Sequence, residues 1–134
     1  MTSFPLKIVT PDGLAFDGQA EELIVRTTTG DLGILAGHIS CVAPLGMGQA
    51  PIMVDGKKRY AACIGGMVSV VNGEVTLVPT TFEWAEEIDA SRADASYQRA
   101  QKILNAKDSS STDIKLAQAR LRRALVRKSV ASNK

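Results

Sequence analysis

The chain has 134 residues, of which 45% are hydrophobic, 22% charged and 4% aromatic, and its formal net charge is +2. These values exclude a disordered or membrane-embedded chain and allow one average domain, or a small domain with an appendage, with a mainly aliphatic core. No apolar run approaches the roughly 18 residues of a spanning helix, and the N-terminal MTSFPLKIV lacks a secretion signal, so we expect a soluble cytosolic protein.

Charge is distributed unevenly along the chain. Residues 1–80 and 81–112 each carry a net charge of −2, whereas residues 113–134 contain seven Lys/Arg against one acidic residue, a net charge of +6. A basic C-terminal end on a mildly acidic body predicts an anionic partner for that end, inside the molecule or outside it. Cys41 and Cys63 lie in apolar surroundings without a CxxC spacing, so we expect two buried, reduced thiols.

Residues 1 to about 80 alternate short apolar runs with turn sequences. LKIVT precedes PDG, ELIVR precedes TTTGDLG, Asp55-Gly56 joins PIMV to RYAACI, and Asn72-Gly73 joins MVSVV to EVTLV. In the last hairpin Val68 and Val70 alternate with Ser69, which places one face inward; Val75 and Leu77 do the same around Thr76. Many short strands without helices between them predict an antiparallel β-sandwich, which we assign to residues 1–84.

The remaining residues, 85–134, predict an antiparallel two-helix hairpin. Neither Gly nor Pro occurs after Pro79, and Asp89 is a good N-cap for a first helix to about Ala106. NAKDSSSTD interrupts the pattern, so we expect Ser109–Ser111 to lie in an inter-helix loop and Thr112 or Asp113 to cap the second helix. The apolar stripes of the two helices are narrow and rich in alanine, which allows close packing; their members are Ala93, Tyr97, Ala100 and Leu104, then Ile114, Ala117, Leu121, Ala124 and Leu125.

One arginine is placed unfavourably in this scheme. Arg92 falls in the first turn after Asp89, where a cation faces the positive end of the helix dipole, at a typical cost of ~0.3–1 kcal/mol. This placement predicts an anionic group nearby.

Catalytic patterns are missing from the sequence. It contains no P-loop, no GxGxxG after a strand, no HExxH and no CxxC pair. The single histidine, His38, lies in the glycine-rich GDLGILAGHIS, which we interpret as a loop; Cys41 follows three residues later, but no Asp or Glu follows within a dozen residues. We therefore expect a structural or interface role for His38 and no independent enzyme activity or metal site.

In order along the whole chain, VTPDG, GDLGILAGHISCVAPL, GGMVSV with NGEVTLV, IDASRA and a basic Ala/Leu helix resemble the epsilon subunit of the bacterial F-type ATP synthase. The resemblance implies a sandwich of about ten strands and a C-terminal helical hairpin. It also implies a non-catalytic rotor subunit of the central stalk, bound to the gamma subunit and the c ring at the cytoplasmic face of the cell membrane. The hairpin would restrain ATP hydrolysis by extending toward the alpha and beta subunits.

The resemblance also suggests where partners bind. The Gly-rich stretch would lie at the end nearest the c ring, with Gly30, Asp31, Leu32, Gly33, Ile34 and His38 as interface candidates. The family often has proline where this chain has Ala36 and Ser40, which makes the loop around His38 less rigid here.

A regulatory ATP site is the last implication. Some family members bind ATP through a motif that Ile88, Asp89, Arg92 and Ala93 match fully, and an ATP phosphate would supply the anion near Arg92. Arg123 and Arg127 would contact the triphosphate from the second helix, Glu83 would contact the base or ribose, and Arg120 or Arg122 could join them.

Two alternatives remain open at this stage. In the first, Asp89 only caps the helix and the arginines form a solvated face. In the second, the chain is a small nucleic-acid-binding module that uses its basic C-terminal helix, although the last 30 residues contain no aromatic side chain for stacking.

Overall fold

The computed structural model describes residues 2–106 and 110–133. Eight β-strands in the described part precede two helices: β1 Phe4–Thr10, β2 Gly13–Ala20, β3 Glu22–Thr27, β4 Gly30–Leu35, β5 Cys41–Pro44, β6 Met47–Val54, β7 Lys57–Val71, β8 Glu74–Trp84, α1 Ala90–Asn105 and α2 Ser111–Ala131. A single 3-10 turn, Ala85–Glu87, joins β8 to the hairpin. The β-sandwich followed by a helical hairpin confirms the predicted fold class.

The strands form one hydrogen-bonded path, β2-β1-β8-β7-β6-β3-β4, with β5 also paired to β7. Sequence reasoning expected about ten strands and an entirely antiparallel arrangement. The described part has eight, which is close to that number; β7, with 15 residues, pairs with β6 along its first half and with β5 along its second. The tight Asn72-Gly73 turn makes β8 antiparallel to β7, whereas the short pairing of β1 with β8 is parallel.

Both predicted two-residue turns are confirmed. Asp55 and Gly56, and likewise Asn72 and Gly73, have positive φ at both central positions, as a type I′ hairpin turn requires. After the second turn Val75 and Leu77 enter the core beside Val68 and Val70, which is the predicted alternation.

The strand β7 changes its inward face at Gly65 and Gly66. Before them the core side chains are Ala61 and Cys63, and after them Val68 and Val70, so the parity of the inward positions reverses. Gly66 has φ 95°, and a Cβ there would lie 2.0 Å from the carbonyl oxygen of Val78. Ala62, on the other side of this strand, consequently faces outward and is buried by the hairpin instead of by the core.

The hairpin packs through alanines, as the sequence predicted. Ala93 and Ala100 of α1, with Ala117 and Ala124 of α2, are buried. Lys128 adds an ion pair with Asp94, with 2.9 Å between Nζ and Oδ1; its Nζ also lies 4.4 Å from the Tyr97 ring centroid.

Two details of α2 differ from the prediction. The N-cap is Ser110 instead of Thr112 or Asp113, because the Ser110 hydroxyl accepts a hydrogen bond from Asp113 N at 3.1 Å, and Asp113 then lies in the first turn. Leu125 is 46% exposed, and its neighbour Val126 packs instead against a buried cluster that includes Ala62, Ala85 and Ile88. Residues 107–109, including Ser109 of the predicted loop, lie outside the described residues.

The bend of β7 yields a stability prediction. Gly66→Ala should lower the free energy of unfolding by about 2–4 kcal/mol, because alanine would adopt positive φ and its methyl group would overlap the Val78 carbonyl. Gly33→Ala in β4 is the matched control, since no heavy atom lies within 4 Å of a Cβ built there. Urea denaturation of both variants measures the difference, and equal midpoints would contradict the assigned role of the bend.

Candidate functional site

A cleft of about 450 Å³ lies between the outer face of β7–β8 and the hairpin. Its apolar surface includes Ile64 from β7 and two helix alanines, Ala100 and Ala124. Four arginines and one carboxylate provide its charge, namely Arg99, Arg120, Arg123, Arg127 and Glu83. A ligand in this cleft would contact the sandwich and both helices at once.

The arginines reach the cleft because of helix periodicity. Arg120, Arg123 and Arg127 occur at i, i+3 and i+7 and therefore follow one line along α2. The buried Ala117 and Ala124 lie beside that line and hold α2 close to α1. Close packing of alanines thus leaves the longer side chains to extend over the cleft.

Glu83 and Arg127 form an ion pair inside the cleft. Arg127 Nη2 donates a hydrogen bond to Glu83 Oε2 at 3.2 Å, and Arg127 Nε lies 2.8 Å from Glu83 Oε1. The Nε atom is buried and has no acceptor in hydrogen-bonding geometry, so its short distance to Oε1 reflects charge attraction more than a directed bond. This pair joins β8 to α2, and Arg127 retains unused donor capacity.

The residues of the predicted ATP site fall into two groups. Glu83, Arg123 and Arg127 line the cleft. Arg120 joins them, whereas Arg122 is exposed and is not among the lining residues. Arg120, and not Arg122, therefore faces the cleft.

The motif residues at the start of α1 are placed differently. Asp89 caps α1 by accepting a hydrogen bond from Arg92 N at 3.1 Å. Ile88 is buried in a cluster with Val130, and Ala93 is buried in the hairpin. The Arg92 side chain is exposed and lies outside the lining of the cleft.

Arg99 was missed by the sequence analysis. It lies seven residues after Arg92, on the same side of α1, and with Ser96 and Ile103 it lines the cleft. Its spacing from Arg92 was visible in the sequence, but the closeness of α1 and α2 at this point needed the fold.

The charges of the cleft favour an anion. Four guanidinium groups face one carboxylate, and that carboxylate is already paired with Arg127. Guanidinium groups bind phosphate and carboxylate oxygens in bidentate geometry, so a phosphorylated ligand suits the lining. Across the described ranges, no group of three or more His, Cys, Asp or Glu side chains is arranged to hold a metal ion.

The predicted interface stretch is not a loop. Gly30–Leu35 forms β4, an edge strand paired with β3, and Ile34 is fully buried in the core. The interpretation of GDLGILAGHIS as a loop was wrong for these residues, and Ile34, an interface candidate, points inward because side chains alternate along the strand. Asp31 is exposed and forms an ion pair with Arg26, with 2.7 Å between Arg26 Nε and Asp31 Oδ1.

Leu35, the last residue of β4, and the residues after it provide the exposed apolar surface instead. Leu35 is 55% and Ile39 77% exposed. His38 lies between them with Nδ1 2.8 Å from the Ile39 carbonyl oxygen. The surface at this end of the sandwich is therefore formed by Leu35, His38 and Ile39, with Asp31 on the strand itself.

Both cysteines are free thiols. Cys63 is buried, and burial raises its pKa to about 12. Cys41 is only partly buried, so the prediction of two buried thiols holds for Cys63 alone.

Comparison with known proteins identifies the family. Residues 3–85 match the family described as ATP synthase, Delta/Epsilon chain, beta-sandwich domain, and residues 86–132 match its long alpha-helix domain. The ATP synthase epsilon chain of Bacillus velezensis is 44% identical over 99% of this chain and 100% of its own length. That of Ruminococcus albus is 42% identical, with complete coverage of both chains.

Solved structures show the same fold. A chain in the Euglena gracilis mitochondrial ATP synthase (OSCP/F1/c-ring, rotational state 1) is similar over 100% of this chain and 83% of that chain, with TM-score 0.83 and 21% identity. A chain in the Tetrahymena thermophila central stalk and c-ring structure has TM-score 0.65 and 15% identity, with 95% coverage of both chains.

This chain belongs to the family of ATP synthase epsilon chains. Membership confirms the resemblance inferred from its motifs. Neither α1 nor α2, the helices of the described part, is long and apolar enough to cross a membrane.

The burial of Ile34 yields a prediction for neighbouring residues. Ile34→Asp should reduce the free energy of unfolding by at least about 3 kcal/mol, because it places a carboxylate in the core. Leu35→Asp, one residue away on the solvent face, should change it by less than about 0.5 kcal/mol. Thermal unfolding followed by circular dichroism compares the two, and similar losses would contradict the strand assignment of β4.

Proposed function

We propose that this chain is a central-stalk rotor subunit that joins gamma to the c ring and regulates ATP hydrolysis through its hairpin. The observation that carries the proposal is the basic cleft, which both the sandwich and the hairpin must form together. In the proposed cycle the hairpin rests on the sandwich in one state. In the other it extends toward the alpha and beta subunits, and its two helices part.

ATP is the proposed ligand of the cleft. A volume of about 450 Å³ falls in the range of small-molecule sites, and the arginines match the charge of a triphosphate. Arg123 and Arg127 would contact phosphate oxygens, with Arg99 and Arg120 beside them. Glu83 would contact the base or ribose after Arg127 has moved from its carboxylate to the phosphate.

The motif at the start of α1 has a separate part in this proposal. Ile88 and Ala93 hold the first turn by packing, and Asp89 holds it by capping. Arg92 would reach the ligand from that turn by moving its exposed side chain. ATP thus serves as a regulatory ligand that bridges the hairpin to the sandwich.

Ligand binding would favour the folded-down state by differential affinity. A ligand shifts a two-state equilibrium only as far as it binds one state more tightly. Extension separates α2 from β8 and so removes Arg123 and Arg127 from Glu83, which leaves the extended state without a complete site. ATP binding alone would therefore oppose extension of the hairpin.

The rotor contacts are proposed for the end of the sandwich that carries β4. Of the predicted interface residues, Asp31 and His38 would contact the c ring. Gly30, Leu32 and Gly33 would shape the strand edge, and Ile34 would support it from the core. Subunits of the stalk and ring would hold the chain at the cytoplasmic face of the membrane. The nucleic-acid alternative is less favoured because α2 turns three of its arginines into the cleft.

The cleft can be tested with ATP and the isolated protein. We expect ATP to raise the melting temperature by several degrees at 100-fold excess over Kd, since mass action then adds about 2.7 kcal/mol to the folded-down state. Arg123→Ala should remove most of this shift. Arg122→Ala, one residue away but outside the cleft, should retain it; equal responses of the two variants in differential scanning fluorimetry would argue against this site.

The rotor surface can be tested with two exposed apolar residues. Leu35→Asp combined with Ile39→Asp should weaken assembly with the c ring at least about tenfold while the isolated protein stays folded, because both side chains already face solvent. Leu14→Asp, which alters an exposed leucine on β2 at the opposite end of the strand order, is the control. Retention of the double variant in a ring pull-down would remove this assignment.

A further inference from the structure

The segment between β8 and α1 is packed against the sandwich. This linker, defined as residues 85–88, buries Ala85 and Ile88 in one cluster with Ala62 of β7. Strand pairing ends immediately before it, at Ala61 and Trp84. The backbone hydrogen bond from Ile88 N to Ala85 O, 3.2 Å long, lies within the linker and does not attach it to β7. Side chains must therefore provide that attachment.

Arg59 of β7 makes two contacts across the start of the linker. Its guanidinium carbon lies 3.7 Å from the centroid of the Trp84 ring, and its Nη2 donates a hydrogen bond to Glu86 Oε1 at 2.7 Å. The pKa of the Glu86 carboxyl is lowered chiefly by this hydrogen bond, so the carboxylate is the form that Arg59 holds. One side chain thus fastens the end of β8 and the middle of the 3-10 turn to the same strand.

The opposite side of the linker contacts α2. Val126, Val130 and Ala131 complete the cluster around Ile88. We call this contact between the linker and the C-terminal end of α2 the seam. Next to it, Asn133 Nδ2 donates to Gln49 Oε1 at 2.7 Å and holds the same end of α2 to β6.

Extension of the hairpin, on which this inference rests, would break the seam in any case. When the two helices part, Val130 leaves Ile88 whether or not the linker stays on the sandwich. The linker then follows α1 or remains with β7 according to its own attachment. Cation–π contacts and ion pairs at exposed sites are individually weak, but here they share one guanidinium and add to the packing of Ile88 on Ala62.

We propose that Arg59 clasps the linker to the sandwich, so that the hairpin pivots after Ile88, at the N-cap residue Asp89, and not after Trp84. The contacts of Arg59 thus determine the residue about which α1 rotates. Without these contacts the linker would move away from the sandwich together with α1, and the moving part of the chain would begin after Trp84 instead of after Ile88. Arg59 is therefore a positioning residue for the moving element and is not among the residues that line the ligand cleft.

The test uses distances between spin labels in the full chain, without nucleotide or partner subunits. Labels on Lys57→Cys and Glu87→Cys report the linker, and labels on Lys57→Cys and Gln98→Cys report α1; all these positions are exposed. Cys41→Ser removes the accessible native thiol, while burial and a pKa of about 12 protect Cys63 from labelling. Val130→Asp opens the seam, because it places a carboxylate at a fully buried position.

In Val130→Asp we expect the 57–98 distance distribution to broaden while the 57–87 distribution stays as narrow as in the parent. In Val130→Asp with Arg59→Ala the 57–87 distribution should broaden as well. Arg26→Ala, which removes another ion-paired arginine of the sandwich, should leave it narrow in the Val130→Asp background. Because ATP is absent, failure of the ATP proposal would not change these outcomes.

Three results would contradict the proposed role of Arg59. The first is a broad 57–87 distribution in Val130→Asp with Arg59 intact, since the linker would then leave on its own. The second is a narrow distribution after Arg59→Ala, since other contacts would then hold the linker. The third is an unchanged 57–98 distribution in Val130→Asp, since the hairpin would then not part along the seam.

Discussion

The change of inward face along β7 is the constraint on which the rest of the structure depends. Two adjacent glycines allow the strand to serve both layers, so Ala61 and Cys63 enter the core on one side of the bend and Val68 and Val70 on the other. Before the bend, Ala62 and Ile64 alternate with the inward Ala61 and Cys63 and therefore face outward. Those side chains give the hairpin a surface to rest on, and the cleft exists only because that surface is there.

The hairpin is held by a small number of contacts. Its own interior consists of alanines, and it meets the sandwich through the seam, the pair of Glu83 with Arg127, and the hydrogen bond of Asn133 with Gln49. Elements that move are drawn from the weakly held part of a fold. Modest attachment together with a charged cleft suits a hairpin whose position a ligand can bias, whereas a large apolar interface would fix it permanently.

Local signals predicted much of this fold. The Asp55-Gly56 and Asn72-Gly73 turns, the Asp89 cap and the alanine stripes are set by neighbouring residues and were all assigned from the sequence. The errors arose where local chemistry competes with tertiary context. The glycines in β4 resembled a loop because strand pairing with β3 cannot be seen locally. The same error made Ile34 an interface candidate, although its side chain is buried.

The cleft was only partly predictable for the same reason. Arg123 and Arg127 follow from helix spacing, and Glu83 from its position before the hairpin. Arg99 depends on how closely α1 approaches α2, and the outward direction of Arg92 depends on how the first turn sits on the sandwich. The double contact of Arg59 with Trp84 and Glu86 joins three positions that no sequence motif connects.

The proposed restraint of ATP hydrolysis by the hairpin requires that the sandwich alone can maintain the rotor contacts. The most direct measurement compares the hydrolysis rate, at low ATP concentration, of the assembled enzyme with the full chain and with a chain ending at Glu87. That ending keeps Trp84, which lies in the sandwich core. The account predicts normal assembly and faster hydrolysis with the shortened chain; equal rates from fully assembled enzymes would contradict it.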